Sequence, residues 1–149
     1  MDLISSAFYS ILFNGMPSYT FTPSRGIRQG DPLSPFLFIL MSEGLGRMIK
    51  KTLLSSSLHG ILIHGAPYNV YQQFVDDNLL FGHHLVWEGH TLKSIMNIFS
   101  KALGTSINMD KFQIFFYNTI IVIQHNISQI LNILVATLPL KYLGAPLFD

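Results

Sequence analysis

The chain has 149 residues, of which 49% are hydrophobic and only 11% are charged, and its formal net charge is +1. This length suffices for one domain with a substantial core, but the charged fraction is well below the roughly 25% of an ordinary soluble domain. The absence of cysteine excludes a disulfide framework and a thiolate metal site. The near-neutral charge argues against a domain that attracts nucleic acid through a basic field of its own.

The apolar excess fits either insertion into a membrane or a chain whose apolar surface is covered by other parts of a larger protein. A spanning helix needs about 20 predominantly apolar residues. The charge-free segment between Lys111 and Lys141 is interrupted by amide side chains and by Pro139, which argues against such a span. The first residues lack the basic region and long apolar run of a signal peptide. We therefore expect a protein of the nucleus or cytoplasm that is neither secreted nor membrane-spanning.

The N-terminal segment is predicted to contain a tight turn and a short hairpin or extended loop. Residues 3–13 are mostly apolar and form an element of uncertain type. They end at Asn14 and Gly15, a pair that is typical of tight turns between strands. Residues 16–23 follow this pair, and the pattern favours a short hairpin or an extended loop.

A long helix is predicted over residues 32–51. Asp31 is a favourable N-cap residue, and Pro32 suits the first helical position. Lys50 and Lys51 lie at the C-terminal end, where the helix dipole is negative. The helix is expected to bury one face, because apolar residues recur at three- and four-residue spacing. These residues are Leu33, Phe36, Leu37, Leu40, Met41, Leu45, Met48 and Ile49.

A second hairpin is predicted in the middle of the chain. Residues 58–64 and 69–75 are predicted strands with a Gly-Ala-Pro connection between them. The chain then turns at Asp76 and Asp77 and returns through residues 79–81.

Two helices and a further strand are predicted in the remaining part. Residues 92–103 form an amphipathic helix that Gly104 is suited to end. Residues 112–117 are a predicted strand, and residues 127–135 are a predicted helix that ends before Pro139. This alternation favours an α+β fold, in which an open antiparallel sheet has helices packed on one face.

Asp76 and Asp77 lie in the stretch FVDDNLLF and are the only charged residues between Lys51 and Glu88. Two like charges about 4 Å apart repel by roughly 4 kcal/mol at an intermediate dielectric, so a cation would stabilise the pair. Magnesium binds carboxylate oxygens, and two such ions about 4 Å apart serve polymerases and nucleases. A solvated turn is the alternative interpretation, although the apolar residues on both sides favour a corner attached to a buried sheet.

The stretch PSRGIRQGDPLSPFLF, residues 23–38, leads into the predicted long helix. Its two glycines allow close approach to the backbone, and Arg25, Arg28 and Gln29 present hydrogen-bond donors just ahead of the helix N-terminus. Such a loop suits a phosphate backbone or a base edge. An ordinary capped helix preceded by a basic loop is the alternative.

Taken together, these stretches resemble the reverse transcriptases of plant non-LTR retrotransposons of the long interspersed element type. PSRGIRQGDPLSPFLFILMSEGL resembles the fingers–palm motif of that family almost letter for letter, and FVDDNLLF resembles its catalytic box. INMDK, residues 107–111, is similar to the motif that follows, and KYLGAPL, residues 141–147, resembles the Tyr-Leu-Gly turn. The opening MDLISSAFYSILFNGMPS resembles the segment before the Arg-Gly motif. The resemblance therefore covers essentially the whole chain.

The resemblance implies a partial right-hand palm of an RNA-directed DNA polymerase. Asp76 and Asp77 would bind Mg²⁺ or Mn²⁺ at the growing 3′ end, with Asp76 as the more direct ligand. Lys111 would support the departing pyrophosphate, where negative charge develops; a solvated turn lysine is the alternative. The implied partners are an RNA template, a DNA primer, deoxynucleoside triphosphates and the remaining polymerase segments.

The resemblance also implies contacts for the Arg-Gly loop. Gln29 and Gly30 would lie along the template base and the incoming nucleotide. Arg25 and Arg28 would contact phosphates, with structural ion pairs as the alternative.

Several features depart from the family pattern. The first catalytic carboxylate of the family belongs to an earlier motif, so we expect the chain by itself to lack the third metal ligand and to be inactive. Gln72 and Gln73 replace more apolar strand residues, and Asn78 and Phe112 stand where serine is common. These departures keep open an alternative from another class, a non-catalytic relic or interaction module that buries its apolar face against a partner.

The remaining histidines and aromatic residues are assigned structural roles. His83 and His84 follow the predicted hairpin and, together with Asp76, could suggest a transition-metal site. Adjacent residues on a strand point to opposite faces and cannot easily chelate one ion, so we do not expect these histidines to ligate a metal. Trp87 and the aromatic residues at 115–117 are expected in the core rather than in a base-stacking surface.

Overall fold

Most of the chain is described by a computed structural model. The described residues are 7–24, 26–61, 71–74, 77–104, 107–139 and 141–146. Within them the chain contains three α-helices, one 3₁₀-helix and six short strands. The chain forms two compact units, Met1–Gly44 and Leu45–Asp149.

The first unit contains the predicted N-terminal hairpin. Its strands are β1 (Leu12–Phe13) and β2 (Met16–Pro17), which pair antiparallel. Asn14 and Gly15 connect them with φ of 50° and 78°. Two successive left-handed conformations define the turn that matches the twist of a hairpin, and Asn-Gly adopts them most readily. The predicted turn is therefore confirmed, and of the two alternatives the chain forms a hairpin, whose first strand precedes the turn.

Apolar side chains of this hairpin are exposed. Beyond its strands, Tyr9 and Phe21 exchange two backbone hydrogen bonds, of 2.8 and 2.9 Å, and their rings stack. Several large side chains nearby are between 64% and 97% exposed, namely Phe8, Ile11, Leu12, Phe13, Met16 and Tyr19. Part of the apolar excess seen in the composition thus lies on a surface rather than in a core.

The long helix begins where its capping residue predicts. The Asp31 side chain accepts a hydrogen bond of 2.8 Å from the Leu33 N–H, the contact expected of an N-cap. The regular helix, α1, extends over Ser34–Leu54. The helix predicted over residues 32–51 is confirmed, with both ends shifted toward the C-terminus.

The predicted buried face of α1 is buried only toward the C-terminus. Ile49 is buried, and Leu45 and Met48 pack against its cluster. Phe36 and Leu40, nearer the N-terminus, are exposed. The prediction of one continuous buried face is therefore wrong for the first half of the helix. Apolar spacing identifies a face suited to burial, but it does not identify what covers that face.

The second predicted hairpin is present in the second unit. Strands β3 (Tyr71–Phe74) and β4 (Asp77–Leu80) pair antiparallel, and Phe74 is the partner of Asp77. Residues 75–76, between the strands, lie outside the described residues.

The strand predicted over residues 58–64 lies partly outside the described residues, which omit 62–70. Residues 58–60 are irregular, and Ile61 takes part in a single β-bridge. Leu58 is fully buried and packs with Ile49 and Ile95. The start of the apolar run therefore contributes to a core, although residues 58–60 form no strand.

Helix α2 (Val86–Leu103) confirms and extends the helix predicted over residues 92–103. Gly104 adopts a left-handed φ of 62°, and its N–H donates to the Lys101 carbonyl at 3.2 Å. This arrangement is a common helix terminator, and the sequence predicted it. Residues 86–91 were not predicted as helical, because the apolar residues at helical spacing begin only at Leu92.

The strand predicted over residues 112–117 is wrong. A 3₁₀-helix, Met109–Lys111, precedes this segment. Ile114 alone forms a bridge, parallel to Val135, through backbone hydrogen bonds of 2.8 and 3.3 Å. A strand needs a neighbour along its length, and here only one residue has such a neighbour.

The last helix also differs from its prediction. Helix α3 covers Ile121–Leu131 rather than residues 127–135. Asn132 ends the helix with a left-handed φ of 60°, and its N–H donates to the Ser128 carbonyl at 2.8 Å. Leu134 and Val135, predicted on the helix, therefore lie in the segment beyond it and are exposed.

Two small clusters form the core of the second unit. The first consists of Ile49, Leu58 and Ile95, and the second of Ile127, Leu131 and Ile133. Leu92 on α2 packs against both clusters. Gly89 brings α2 close to α3, because a Cβ at this position would lie 3.6 Å from Ile127 Cγ2.

The third hairpin comprises β5 (Lys141–Tyr142) and β6 (Ala145–Pro146). Leu143 and Gly144 form its turn with left-handed φ of 50° and 84°, as in the first hairpin. The described strands thus form three two-stranded antiparallel sheets. The prediction of helices combined with antiparallel strands is confirmed at this level. No helix in the described residues has the length and apolar character needed to cross a membrane.

Candidate active site

The Asp-Asp corner belongs to the β3–β4 hairpin. Asp77 is the first residue of β4 and lies opposite Phe74, the last residue of β3. Both residues are exposed, and cross-strand partners share a face of the hairpin. Asp76 lies outside the described residues. The Asp77 carboxylate is therefore open to solvent and accessible to a cation.

Three polar side chains of the β3–β4 hairpin contact one another. Gln73 on β3 is the cross-strand partner of Asn78 on β4. The Tyr71 hydroxyl lies 2.6 Å from Gln73 Oε1 and 2.8 Å from Asn78 Oδ1. Gln73 and Asn78, two of the residues that depart from the family pattern, are thus connected through the Tyr71 hydroxyl.

Tyr71 is the residue of this group with a perturbed ionisation. Burial raises the pKa of the Tyr71 hydroxyl above its usual value of 10.0, and the nearby Tyr142 raises it further. The Tyr142 hydroxyl is itself buried and finds no hydrogen-bond partner among the described residues. The neutral form of Tyr71 is therefore stabilised in the folded protein.

The Arg-Gly loop is exposed and depends on two glycines. Gly26 and Gly30 have left-handed φ of 87° and 79°, and a Cβ at either position would meet nothing within 4 Å. The Arg28 carbonyl accepts hydrogen bonds from the Asp31 N–H and the Ser34 hydroxyl, which fixes the loop to the start of α1. Arg28 and Gln29 are exposed. Arg25 lies outside the described residues.

Lys111 closes the 3₁₀-helix and is exposed. Asn108 begins this helix, and its side chain accepts a hydrogen bond of 3.1 Å from the Asp110 N–H. Within the described ranges no hydrogen bond or ion pair joins Lys111 to Asp77.

The predicted site residues are divided between the two units. Arg28, Gln29 and Gly30 belong to the first unit, and Asp77 and Lys111 belong to the second. Their assembly around one substrate therefore stays a prediction.

The aromatic residues are only partly in the core. Phe116 packs against the second core cluster. Trp87 is 43% exposed, and Tyr117 is 82% exposed. The expectation of core positions is therefore wrong for these two side chains.

A cluster that the sequence does not predict lies beyond the β3–β4 hairpin. His59, His83 and Glu88 bring one potential ligand atom each within 4.8 Å of one another. His84 is not a member of the cluster, and both His83 and His84 lie in the irregular segment after β4 rather than on a strand. The partners of His83 are separated from it by up to 24 residues, and no local spacing identifies them.

The comparisons with known proteins agree with the motifs. The model of the family described as reverse transcriptase (RNA-dependent DNA polymerase) matches residues 2–147. An Arabidopsis thaliana protein named uncharacterized mitochondrial protein AtMg01250 is 43% identical over 72 residues, which are 47% of this chain and 59% of that protein. The retrovirus-related Pol polyprotein from type-2 retrotransposable element R2DM of Drosophila melanogaster is 33% identical over 98 residues, which are 66% of this chain and 8% of that polyprotein.

The chain belongs to the reverse transcriptase family. The family match extends over nearly all of its residues, and one similar protein is named as the product of a retrotransposable element. The resemblance inferred from the motifs is therefore confirmed. The chain spans less than two thirds of the length of either relative.

Proposed function

We propose that this chain forms part of the palm of an RNA-directed DNA polymerase and that Asp76 and Asp77 bind its divalent cation. The observation that supports this most directly is the position of Asp77. It is exposed at the first residue of the returning strand of an antiparallel hairpin, in a chain of the reverse transcriptase family. In this proposal the two-stranded β3–β4 sheet is the central part of the palm sheet, and helices pack on one face of that sheet.

The donor set fits a hard cation. Asp76 and Asp77 offer carboxylate oxygens only, and Mg²⁺ prefers oxygen ligands and keeps several of its waters. Within the described residues no side chain forms an ion pair with Asp77. A bound Mg²⁺ or Mn²⁺ would offset the repulsion between the neighbouring carboxylates and supply electrostatic stabilisation of the phosphoryl oxygens.

The other residues act by positioning and by charge. Catalysis of phosphoryl transfer depends mainly on orientation and on electrostatic stabilisation of the transition state. Arg25 and Arg28 contact phosphates, and Gln29 and Gly30 lie along the template base and the incoming nucleotide. Lys111, which is exposed, stabilises the negative charge that develops on the departing pyrophosphate.

The partners follow from the reaction. An RNA template, a DNA primer and deoxynucleoside triphosphates are the substrates, and other segments of the polymerase complete the site. The exposed apolar side chains of the N-terminal hairpin and of the first half of α1 suit contact with such segments.

Primer extension on an RNA template, with magnesium and all four nucleotides, tests the catalytic role. The assay compares the chain alone with the same chain joined to the upstream polymerase segment of an intact relative. We expect extension by the joined protein and none by the chain alone. Asp76→Ala should lower the rate at least about 100-fold, because it removes charge stabilisation in the transition state. Glu43→Gln, an exposed acidic residue on α1, is the matched control and should retain activity.

The opposite results are equally informative. A joined protein that is folded by circular dichroism but never extends the primer would favour a non-catalytic chain. Extension that is unchanged by Asp76→Ala would show that the Asp-Asp corner does not hold the catalytic ion.

A further inference from the structure

The cluster of His59, His83 and Glu88 is not used by the proposed polymerase function. His59 follows α1, His83 lies between β4 and α2, and Glu88 is in the first turn of α2. Three separate segments of the second unit therefore meet here. One ring nitrogen of each histidine and one oxygen of the carboxylate all lie within 4.8 Å of one another.

Glu88 is the fixed member of the cluster. Its side chain is 1% exposed. Oε1 lies 2.8 Å from His59 Nδ1, and Oε2 accepts a hydrogen bond of 3.0 Å from the His83 N–H. A Cβ at Gly82 would lie 3.0 Å from Oε2, so a glycine at this position keeps the space for the carboxylate. Buried carboxyl groups require such partners, and these hold the two oxygens in defined positions.

The two histidines leave the cluster open on its other side. Their rings stack with centroids 5.4 Å apart and an interplanar angle of 22°. The His59 side chain is 43% exposed, and His83 is also exposed. An ion from solvent can therefore reach the ring nitrogens while Glu88 closes the site from the protein side.

We propose that His59, His83 and Glu88 bind a zinc ion, with water in the remaining position. Two imidazoles and one carboxylate are a set of three protein ligands that Zn²⁺ takes in proteins. Mg²⁺ prefers oxygen ligands only, so the cluster and the Asp-Asp corner select different metals.

The distances require only a small adjustment. Zinc lies about 2.0–2.1 Å from histidine nitrogens and carboxylate oxygens, which places tetrahedral ligands about 3.3 Å apart. The pair formed by His59 Nδ1 and Glu88 Oε1 is already closer than this, at 2.8 Å. The widest separation in the cluster is at most 4.8 Å. Rotation of the exposed His83 ring about its side-chain bonds is the change that would bring the third ligand into place.

The ion would connect the segment after α1 with the segment that follows β4. Because β4 carries Asp77 and leads directly to His83, zinc would fix the base of the hairpin that bears the Asp-Asp corner. This role is structural and does not depend on polymerase activity.

Zinc binding is measurable on the full chain through its single tryptophan. Trp87 is the only tryptophan of the chain, and its ring meets the His59 ring edge-on at 5.5 Å. The full chain, freed of metal by a chelator and then dialysed, is titrated with Zn²⁺ while Trp87 fluorescence and bound zinc are recorded. Co²⁺ serves as a second probe, because its visible spectrum reports nitrogen and oxygen coordination. We expect one ion per chain.

His83→Ala is the informative variant. It removes one ligand but keeps the residue 83 N–H and His59, so both contacts of Glu88 remain. Loss of a residue that merely orients a metal ligand already costs about 10- to 100-fold in affinity, so loss of a ligand should weaken zinc binding at least about 10-fold. His84→Ala is the matched control, because His84 is an exposed neighbour outside the cluster. It should bind zinc as the wild type does.

Either of two affinity results would overturn the zinc site. One is equal zinc affinity of His83→Ala and the wild type, and the other is a wild-type chain that binds no zinc at stoichiometric concentrations. If His83→Ala does not fold, the wild-type chain is titrated with zinc while the NMR resonances of its histidine rings are recorded. Zinc must then shift the resonances of His59 and His83, and shifts confined to His90 or His125 would contradict the site.

Discussion

Replacing Glu88 by glutamine tests whether this buried carboxyl group holds the start of α2 in place. The substitution keeps the size of the side chain and removes its negative charge. In the wild-type protein Oε2 accepts from the His83 N–H at 3.0 Å, and Oε1 lies 2.8 Å from His59 Nδ1. Glutamine offers one accepting oxygen and one donating amide group. The oxygen still accepts from the His83 N–H, and the amide donates to His59 Nδ1 when the neutral His59 ring carries its proton on Nε2. Both contacts therefore remain in the variant, but neither involves a charged carboxylate.

The magnitude follows from the loss of the carboxylate charge. A hydrogen bond to a charged group contributes about 1.5–3 kcal/mol, and one between neutral groups about 0.5–1.5 kcal/mol. Glu88 is 1% exposed, so water screens these contacts little. We expect Glu88→Gln to lower the free energy of unfolding by about 2 kcal/mol, because each of two contacts weakens by about 1 kcal/mol.

Urea unfolding of the metal-free chain measures this change. Trp87 fluorescence and circular dichroism are followed together, so that a local change near Trp87 is distinguished from global unfolding. Asp110→Asn, an exposed position in the 3₁₀-helix, is the control and should stay within about 0.5 kcal/mol of the wild type. A Glu88→Gln variant as stable as this control would refute the role given to the Glu88 contacts.

Two further predictions concern Tyr71 and the exposed hairpin. Because the Tyr71 pKa is raised, its neutral form stabilises the fold fully below pH 10.0, and this contribution is lost as pH rises through the raised pKa. Phenolate absorbance should therefore show a late titration step that disappears in Tyr71→Phe and persists in Tyr19→Phe; its persistence in both variants would contradict the assignment. Leu12→Ser combined with Phe13→Ser should reduce self-association of the chain in sedimentation, because both side chains are exposed in the N-terminal hairpin. Unchanged sedimentation would show that this surface does not drive association.

The elements that the sequence predicted correctly are those with local signals. Asn14 and Gly15 specify a turn by their own backbone preferences, and Asp31 caps α1 through a contact two residues away. Gly104 ends α2 by the same kind of local chemistry. None of these features depends on what the element packs against, so one sequence suffices to predict them.

The prediction of the last helix over residues 127–135 was wrong because a local helix-ending signal was outweighed. The apolar residues at 134–135 continue the helical spacing of α3, but Asn132 adopts a left-handed conformation and ends the helix first. The following residues are then extended and pass beside Ile114. Asparagine is a less frequent helix terminator than glycine, and the apolar periodicity outweighed it in the prediction.

The candidate sites differ in how far the sequence predicts them. Asp76 and Asp77 are adjacent in the chain, so their pairing is evident from the sequence alone. His59 and Glu88 are separated by 29 residues and meet only through the packing of α2 behind the hairpin. A buried glutamate near a helix start is indistinguishable in sequence from an exposed one that favours the helix dipole.

The proposal that Asp76 and Asp77 bind the divalent cation is tested most directly by manganese titration of the full chain, followed by paramagnetic broadening of its backbone amide signals. If Asp76 and Asp77 form the metal corner of a polymerase palm, broadening should centre on residues 74–79. It should be weak, because two carboxylates leave most of the coordination to water. The double variant with Asp76→Ala and Asp77→Ala should lose the broadening, and Glu43→Ala should keep it. The same broadening in the double variant, or broadening confined to His59 and His83, would contradict the assignment of this hairpin as the cation site.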